Sequence, residues 1–114
     1  MASAGLCEQE ALKAGCAVKS STLPVGGAAR AGQPGHARDY QDRRDSSNDK
    51  MLGVHILAEG AGEVIQAGVY AIKFGFTVAD LADTWHPYLT MAEGLKLAAQ
   101  TFTRDVAKLS CCAA

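Results

Sequence analysis

The apolar positions of this chain are unevenly spread, and their spacing changes character along its length. From Met51 to Leu57 (MLGVHIL) they run almost without interruption, after the turn-forming cluster Asp45-Ser46-Ser47-Asn48-Asp49. A short apolar run bounded by turn residues predicts a buried strand. Between Ala61 and Phe74 the spacing becomes helical, and Val64, Ile65, Ala67, Val69, Ala71, Ile72 and Phe74 surround most of the circumference. A helix apolar on so many sides is expected to be covered twice, by its own sheet and by a second subunit. Thr77 and Asp80 then make a Thr-x-x-Asp cap for a short helix over Val78 to Asp83. Pro87 fixes an irregular corner, Trp85-His86-Pro87-Tyr88. Thr90-Met91-Ala92-Glu93 reads as a capping box that opens a last helix, with Met91, Leu95, Ala98 and Phe102 on one face.

The first half of the chain is less regular. Glu8 to Gly15 predicts a short helix with acidic residues in its first turn and Gly15 as its stop. Ala17 to Val25 predicts a strand, which Pro24 confines to an edge or an end. Residues 26–44, GGAARAGQPGHARDYQDRR, contain no Val, Ile, Leu, Met, Phe or Trp, and their composition is that of a linker or solvated loop. No internal repeat is visible.

Composition narrows the function. The chain has 114 residues, 48% hydrophobic and 20% charged, which fits one folded domain rather than a disordered segment. A formal net charge of -1 lacks the basic excess of a nucleic-acid binder. No apolar stretch reaches the roughly 20 residues of a membrane span. The opening MASAGLCEQE lacks the basic and apolar regions of a secretory signal. Four cysteines, Cys7, Cys16, Cys111 and Cys112, with two of them adjacent, do not resemble a secreted disulfide framework, and a reducing cytoplasm is expected.

Cys111 and Cys112 are the strongest chemical signal. Two neighbouring thiols can capture a thiophilic ion such as Hg(II), close a strained vicinal disulfide, or simply pack as two small hydrophobes. Cys7 precedes an acidic helical turn where Ser or Thr is the usual cap, and both Cys7 and Cys16 read as packing residues. Tyr88 with Glu93 can supply an acid or a phenolate ligand; equally, Tyr88 is an interface aromatic and Glu93 the partner of Thr90 in a cap. His55 reads as a face or core histidine of its strand, and His36 carries no chemistry. Gly60-Ala61-Gly62 opens a helix but lacks the third glycine of a dinucleotide-binding turn, so a self-contained flavin or nicotinamide enzyme is not encoded.

The run from Gly53 to Ala114, and above all its ending PYLTMAEGLKLAAQTF with LSCCA, closely resembles the C-terminus of the mercuric reductases. These are flavin-dependent pyridine nucleotide–disulfide oxidoreductases, and the terminal Cys-Cys distinguishes them from relatives that reduce disulfides. ASAGLCEQEALKAG resembles the start of the same family's dimerisation domain, so everything but residues 26–44 is covered. The resemblance implies an α+β fold, an antiparallel sheet flanked by helices, with residues 1–110 as dimerisation domain and 111–114 as a flexible Cys-Cys tail. It implies that Cys111 and Cys112 take Hg(II) and hand it to a cysteine pair of the opposite subunit. Tyr88 matches a tyrosine near that site, where disulfide-reducing relatives carry a catalytic histidine, and Glu93 matches the glutamate paired with that histidine. FAD and NADPH serve the parent enzyme. This chain has none of the segments that bind them, so it is expected to be a fragment working with a homodimeric or complementary oxidoreductase subunit. The alternative is a stand-alone soft-metal-binding or non-functional fragment without catalysis.

Residues 26–44 show none of the family's pattern. One back-translation, read one nucleotide later, gives AVPRALVNQGTRGTIKIV, which resembles the missing family segment. Two compensating frame changes would therefore replace a strand with a loop. The expectation is a sheet that loses a central strand and a chain of marginal stability.

Overall fold

A computed structural model describes residues 1–24, 39–88, 90–105 and 108. Strands β1 (Ala2–Gly5), β2 (Val18–Pro24), β3 (Asp39–Asp45) and β4 (Met51–Leu57) form one antiparallel sheet in the order β1-β4-β3-β2. Helices α1 (Glu8–Lys13), α2 (Ala61–Lys73), α3 (Val78–Asp83) and α4 (Glu93–Gln100) complete the α+β architecture. Pro24 ends β2, the edge strand, where its missing N–H breaks no internal ladder.

The expected loss of a central strand is not what the structure contains. Asp39–Asp45 pairs with β2 from Val18↔Asp45 to Pro24↔Asp39 and with β4 from Asp39↔Leu57 to Arg44↔Met51. The stretch read as a loop over 26–44 is therefore strand from residue 39, and its remainder up to residue 38 lies outside the described residues. Backbone pairing on both edges outweighs a composition with few strand formers, because each paired N–H and C=O would otherwise be left unsatisfied between β2 and β4.

Leu23, Tyr40, Val54, Ile56, Leu95 and Ala98 are fully buried and form the centre of the core. Two helix–sheet approaches are close enough to need glycine. A Cβ on Gly68 would meet the Val54 side chain at 3.1 Å, and one on Gly94 would lie 2.5 Å from the Tyr40 ring. So α2 seats on β4 and α4 on β3. The β2 edge is fastened to the end of α4 by a hydroxyl pair, Ser21 with Thr101. The cap predicted at Thr77 is present: its hydroxyl oxygen accepts from the Asp80 N–H at 3.1 Å, and Asp80 accepts from the Thr77 N–H at 2.8 Å.

One inward position is chemically out of place. Asp42 is 0% exposed, and neither carboxyl oxygen has a hydrogen-bond partner among the described residues. Burial pushes its carboxyl well above the usual carboxylate range. The neighbouring Arg43 and Arg44 also hold buried, unpaired N–H groups, so the unsatisfied side-chain atoms found among the described residues cluster in three consecutive residues of β3. An orphaned buried polar group costs about 1–3 kcal/mol, which makes β3 the expensive strand of the sheet.

Candidate functional site

The corner between α3 and α4 is built by hydrogen bonds that close on themselves. Thr84 ends α3, its hydroxyl donating to the Asp80 carbonyl at 2.6 Å. His86 Nδ1 lies 3.0 Å from the Thr84 carbonyl. The Thr90 hydroxyl donates to the Pro87 carbonyl at 2.6 Å, and the Glu93 N–H donates to the Thr90 carbonyl at 3.3 Å.

That arrangement corrects the capping box expected from Thr90 to Glu93. The N-cap of α4 is Ala92, with helical backbone and no side chain able to cap, while the Glu93 N–H goes to the Thr90 carbonyl and the Thr90 hydroxyl turns back to Pro87. Glu93 is instead the first residue of α4, where a carboxylate sits favourably at the positive end of the helix dipole.

Tyr88 and Glu93 are thus brought to one short connection, Tyr88 exposed and Glu93 half-buried. Sequence reasoning missed the residue that anchors this connection. Tyr40, buried in β3 beneath Gly94, donates its phenol O–H to the Met91 carbonyl at 2.9 Å, midway between Tyr88 and Glu93. The signal was the pair Tyr40-x-Asp42, two inward positions of one strand, hidden because the second is an acid.

The other candidates fall elsewhere. Cys111 and Cys112 lie outside the described residues, as does His36. Cys7 is the N-cap of α1, its N–H donating to the Glu10 carboxylate at 2.8 Å; Cys16 follows the helix, and both thiols are half-buried. That hydrogen bond from the Cys7 backbone holds the Glu10 carboxyl below its usual range. His55 lies on the face of β4 opposite Val54 and Ile56, near the start of α1, with Nε2 3.2 Å from the Leu6 carbonyl. Burial lowers its basicity, helped by the Arg43 charge, while the Leu6 bond and Glu10 oppose. Among the described residues no three His, Cys, Asp or Glu side chains converge as a metal site.

A cleft of about 220 Å³ between α3 and the end of α4 is bordered by neither Tyr88 nor Glu93. Its rim is closed internally, with Arg44 paired to Asp49 and its guanidinium 5.0 Å from the Phe102 ring centre. The outer side of α2 leaves Val69, Tyr70 and Phe74 in solvent, and Trp85 and Tyr88 are exposed on the corner. No helix among the described residues is long and apolar enough to cross a membrane.

The pyridine nucleotide-disulphide oxidoreductase dimerisation domain matches residues 1–99. The mercuric reductase of Streptomyces lividans is 54% identical over 99% of this chain and that of Bacillus cereus 50% over 99%. Both alignments, and the domain match, run through residues 39–45. The chain spans 24% and 18% of those two relatives' length. Among solved structures, LpdA from Mycobacterium tuberculosis superposes with a TM-score of 0.79 at 21% identity, over 90% of this chain and 22% of that one. The HOCl-induced flavoprotein disulfide reductase RclA from Escherichia coli gives 0.78 at 22% identity, over 86% and 23%. The antiparallel sheet and the helix layer are therefore those of a shared architecture, and the chain belongs to the pyridine nucleotide-disulphide oxidoreductase family, whose dimerisation domain it carries.

Proposed function

We propose that this chain is the dimer-interface and Hg(II)-relay part of a mercuric reductase, a cytoplasmic enzyme that reduces Hg(II) to Hg(0) with NADPH. The observation that carries the reading is the 54% identity with one mercuric reductase across 99% of the chain. The adjacent thiols of Cys111 and Cys112 add the chemistry that reaction needs. Residues 1–110 act as the interface domain, pairing two copies through the exposed side of α2, and 111–114 as the thiol tail.

Hg(II) held by two small thiolates leaves them too slowly by dissociation alone, so it must move by attack. The Cys111 thiolate adds to mercury, forming one S–Hg bond, and one small thiolate leaves and takes up the proton that Cys111 released. Cys112 displaces the second in the same way. The dithiol-held ion then passes by two further exchanges to a second cysteine pair in the opposite subunit. Tyr88 stands in this route as a phenol able to donate a proton or ligate mercury, and Glu93 as a weaker electrostatic partner. Enzymes of this family use FAD and NAD(P)H. The chain spans 24% of the Streptomyces lividans mercuric reductase, and we assign electron transfer to the parent enzyme's other domains.

The test is Hg(II) binding by the full 114-residue chain, measured against a competing monothiol and beside the Cys111→Ala/Cys112→Ala variant. The expected result is loss of the tightest site in the variant and no NADPH oxidation by either chain. Unchanged mercury affinity would overturn the relay. A second reading, a soft-metal-binding module without catalysis, is favoured by the fact that adjacent thiols bind mercury with no flavin; it expects the same binding but no transfer to a second dithiol protein.

We also read residues 26–44 as out of frame. The shifted peptide amounts to Tyr40→Ile and Asp42→Ile, apolar residues at both inward positions of β3, and the orphaned carboxyl of Asp42 supports that displacement. Resequencing the coding DNA tests it: codons unable to yield the shifted peptide end the idea.

A further inference from the structure

β3 is the middle of the sheet, with β4 on one side and β2 on the other, and it carries a bare carboxyl at its most enclosed position. Asp42 lies across from Val54 on β4 and Ser21 on β2. The Ser21 hydroxyl is taken by Thr101, so it does not serve Asp42. The ionisable groups around it are engaged or lie at the edges. On β3 itself, Tyr40 bonds the Met91 carbonyl and Arg44 pairs with Asp49, while Arg43 bonds Gln41 on the opposite face. On β2, Lys19 is exposed; β4 offers His55, on the opposite face of the sheet, beside Leu6 and Glu10. On α4, Glu93 and Lys96 are half-buried, and on α2, Glu63, Tyr70 and Lys73 are not buried. Among the described residues no cation sits against the carboxyl.

A carboxylate sealed from solvent with no cation beside it cannot stay ionised in such a place, whereas the neutral acid can. We propose that β3 is a proton-gated strand: the sheet closes with Asp42 as the uncharged acid, and ionisation releases β3 from between β2 and β4. Release would free the paired edges of both neighbours and let go of the Met91 carbonyl that Tyr40 holds, so the gate acts on the sheet and on the α3–α4 corner together.

The sign follows from linkage. The folded carboxyl holds its proton to higher pH than the unfolded one, so its contribution is complete below the ordinary Asp range, about pH 4, and falls as pH rises above it. One proton taken up on folding changes the folding equilibrium about tenfold per pH unit. His55 acts the other way: its lowered basicity makes the fold lose stability as pH falls below about 6.5. Comparing variants at one position removes that background.

The experiment is denaturant unfolding of the full chain from pH 5 to 8.5, with amide hydrogen exchange across residues 39–45, for the natural sequence, Asp42→Asn and Asp42→Ile. The natural chain should lose folding equilibrium about tenfold per pH unit relative to Asp42→Ile, and the protection of residues 39–45 should fall between pH 5 and 8. Both variants should lack that relative slope. A natural chain unfolded at pH 8 but folded at pH 5, beside an Asp42→Ile chain folded at both, also supports the gate. Parallel pH profiles for the natural chain and Asp42→Ile would overturn it. So would an Asp42→Ile chain folded at neither pH, or a natural chain unfolded at both while Asp42→Ile folds.

Discussion

β3 and β4 are adjacent seven-residue strands in the middle of one sheet, and they reach that position by opposite routes. In β4, MLGVHIL, the inward side chains Val54 and Ile56 are apolar and fully buried, so pattern and place agree. In β3, DYQDRRD, the inward side chains are Tyr40 and Asp42, equally buried, and the strand is held by the two ladders on its flanks. A strand between two partners is thus imposed as much by its neighbours' unpaired backbone as by its own side chains. The cost of a poor sequence then appears as orphaned polar atoms rather than as a missing strand.

Copying the defect of β3 into β4 should break the comparison outright. Val54→Asp would set a second carboxyl opposite Asp42 and is expected to cost more than about 4 kcal/mol, seen as loss of cooperative unfolding at pH 7. A smaller effect should come from the favourable half of β3. Tyr40→Ala removes the ring under Gly94 and the bond to Met91, for a loss of about 3–4 kcal/mol in denaturant unfolding, whereas Tyr40→Phe, which removes the hydroxyl alone, should cost about 1 kcal/mol. If Tyr40→Phe matched Tyr40→Ala, the hydroxyl rather than the ring would be what couples β3 to the corner.

The same contrast explains what could be read beforehand. β4, α2 and the Thr77 cap were legible because side-chain spacing and local hydrogen-bonding chemistry decide them. β1 was not, since Ala2–Gly5 holds small residues with no apolar alternation and is a strand through its pairing with β4 alone. The Thr90 box failed because the Glu93 N–H donates to the Thr90 carbonyl rather than to its hydroxyl, which turns to the Pro87 carbonyl. At the candidate site, Tyr88 and Glu93 were visible as residue types, but their support from Tyr40 depended on a strand whose pattern did not announce it. The apolar circumference of α2 anticipated a helix buried at Ala61, Gly68 and Ala71 that still leaves Val69 and Tyr70 exposed.

The strand order also bears on how the molecule is made. β1 is made before its partner β4, and its ladder runs from Ala2↔Ile56 to Gly5↔Gly53, so it must wait until those distant residues have been made before it can dock on them. Such distant closure slows assembly. During vectorial synthesis β1 therefore emerges ahead of β4 yet settles only after it, with β4 as the template on which it finally comes to rest.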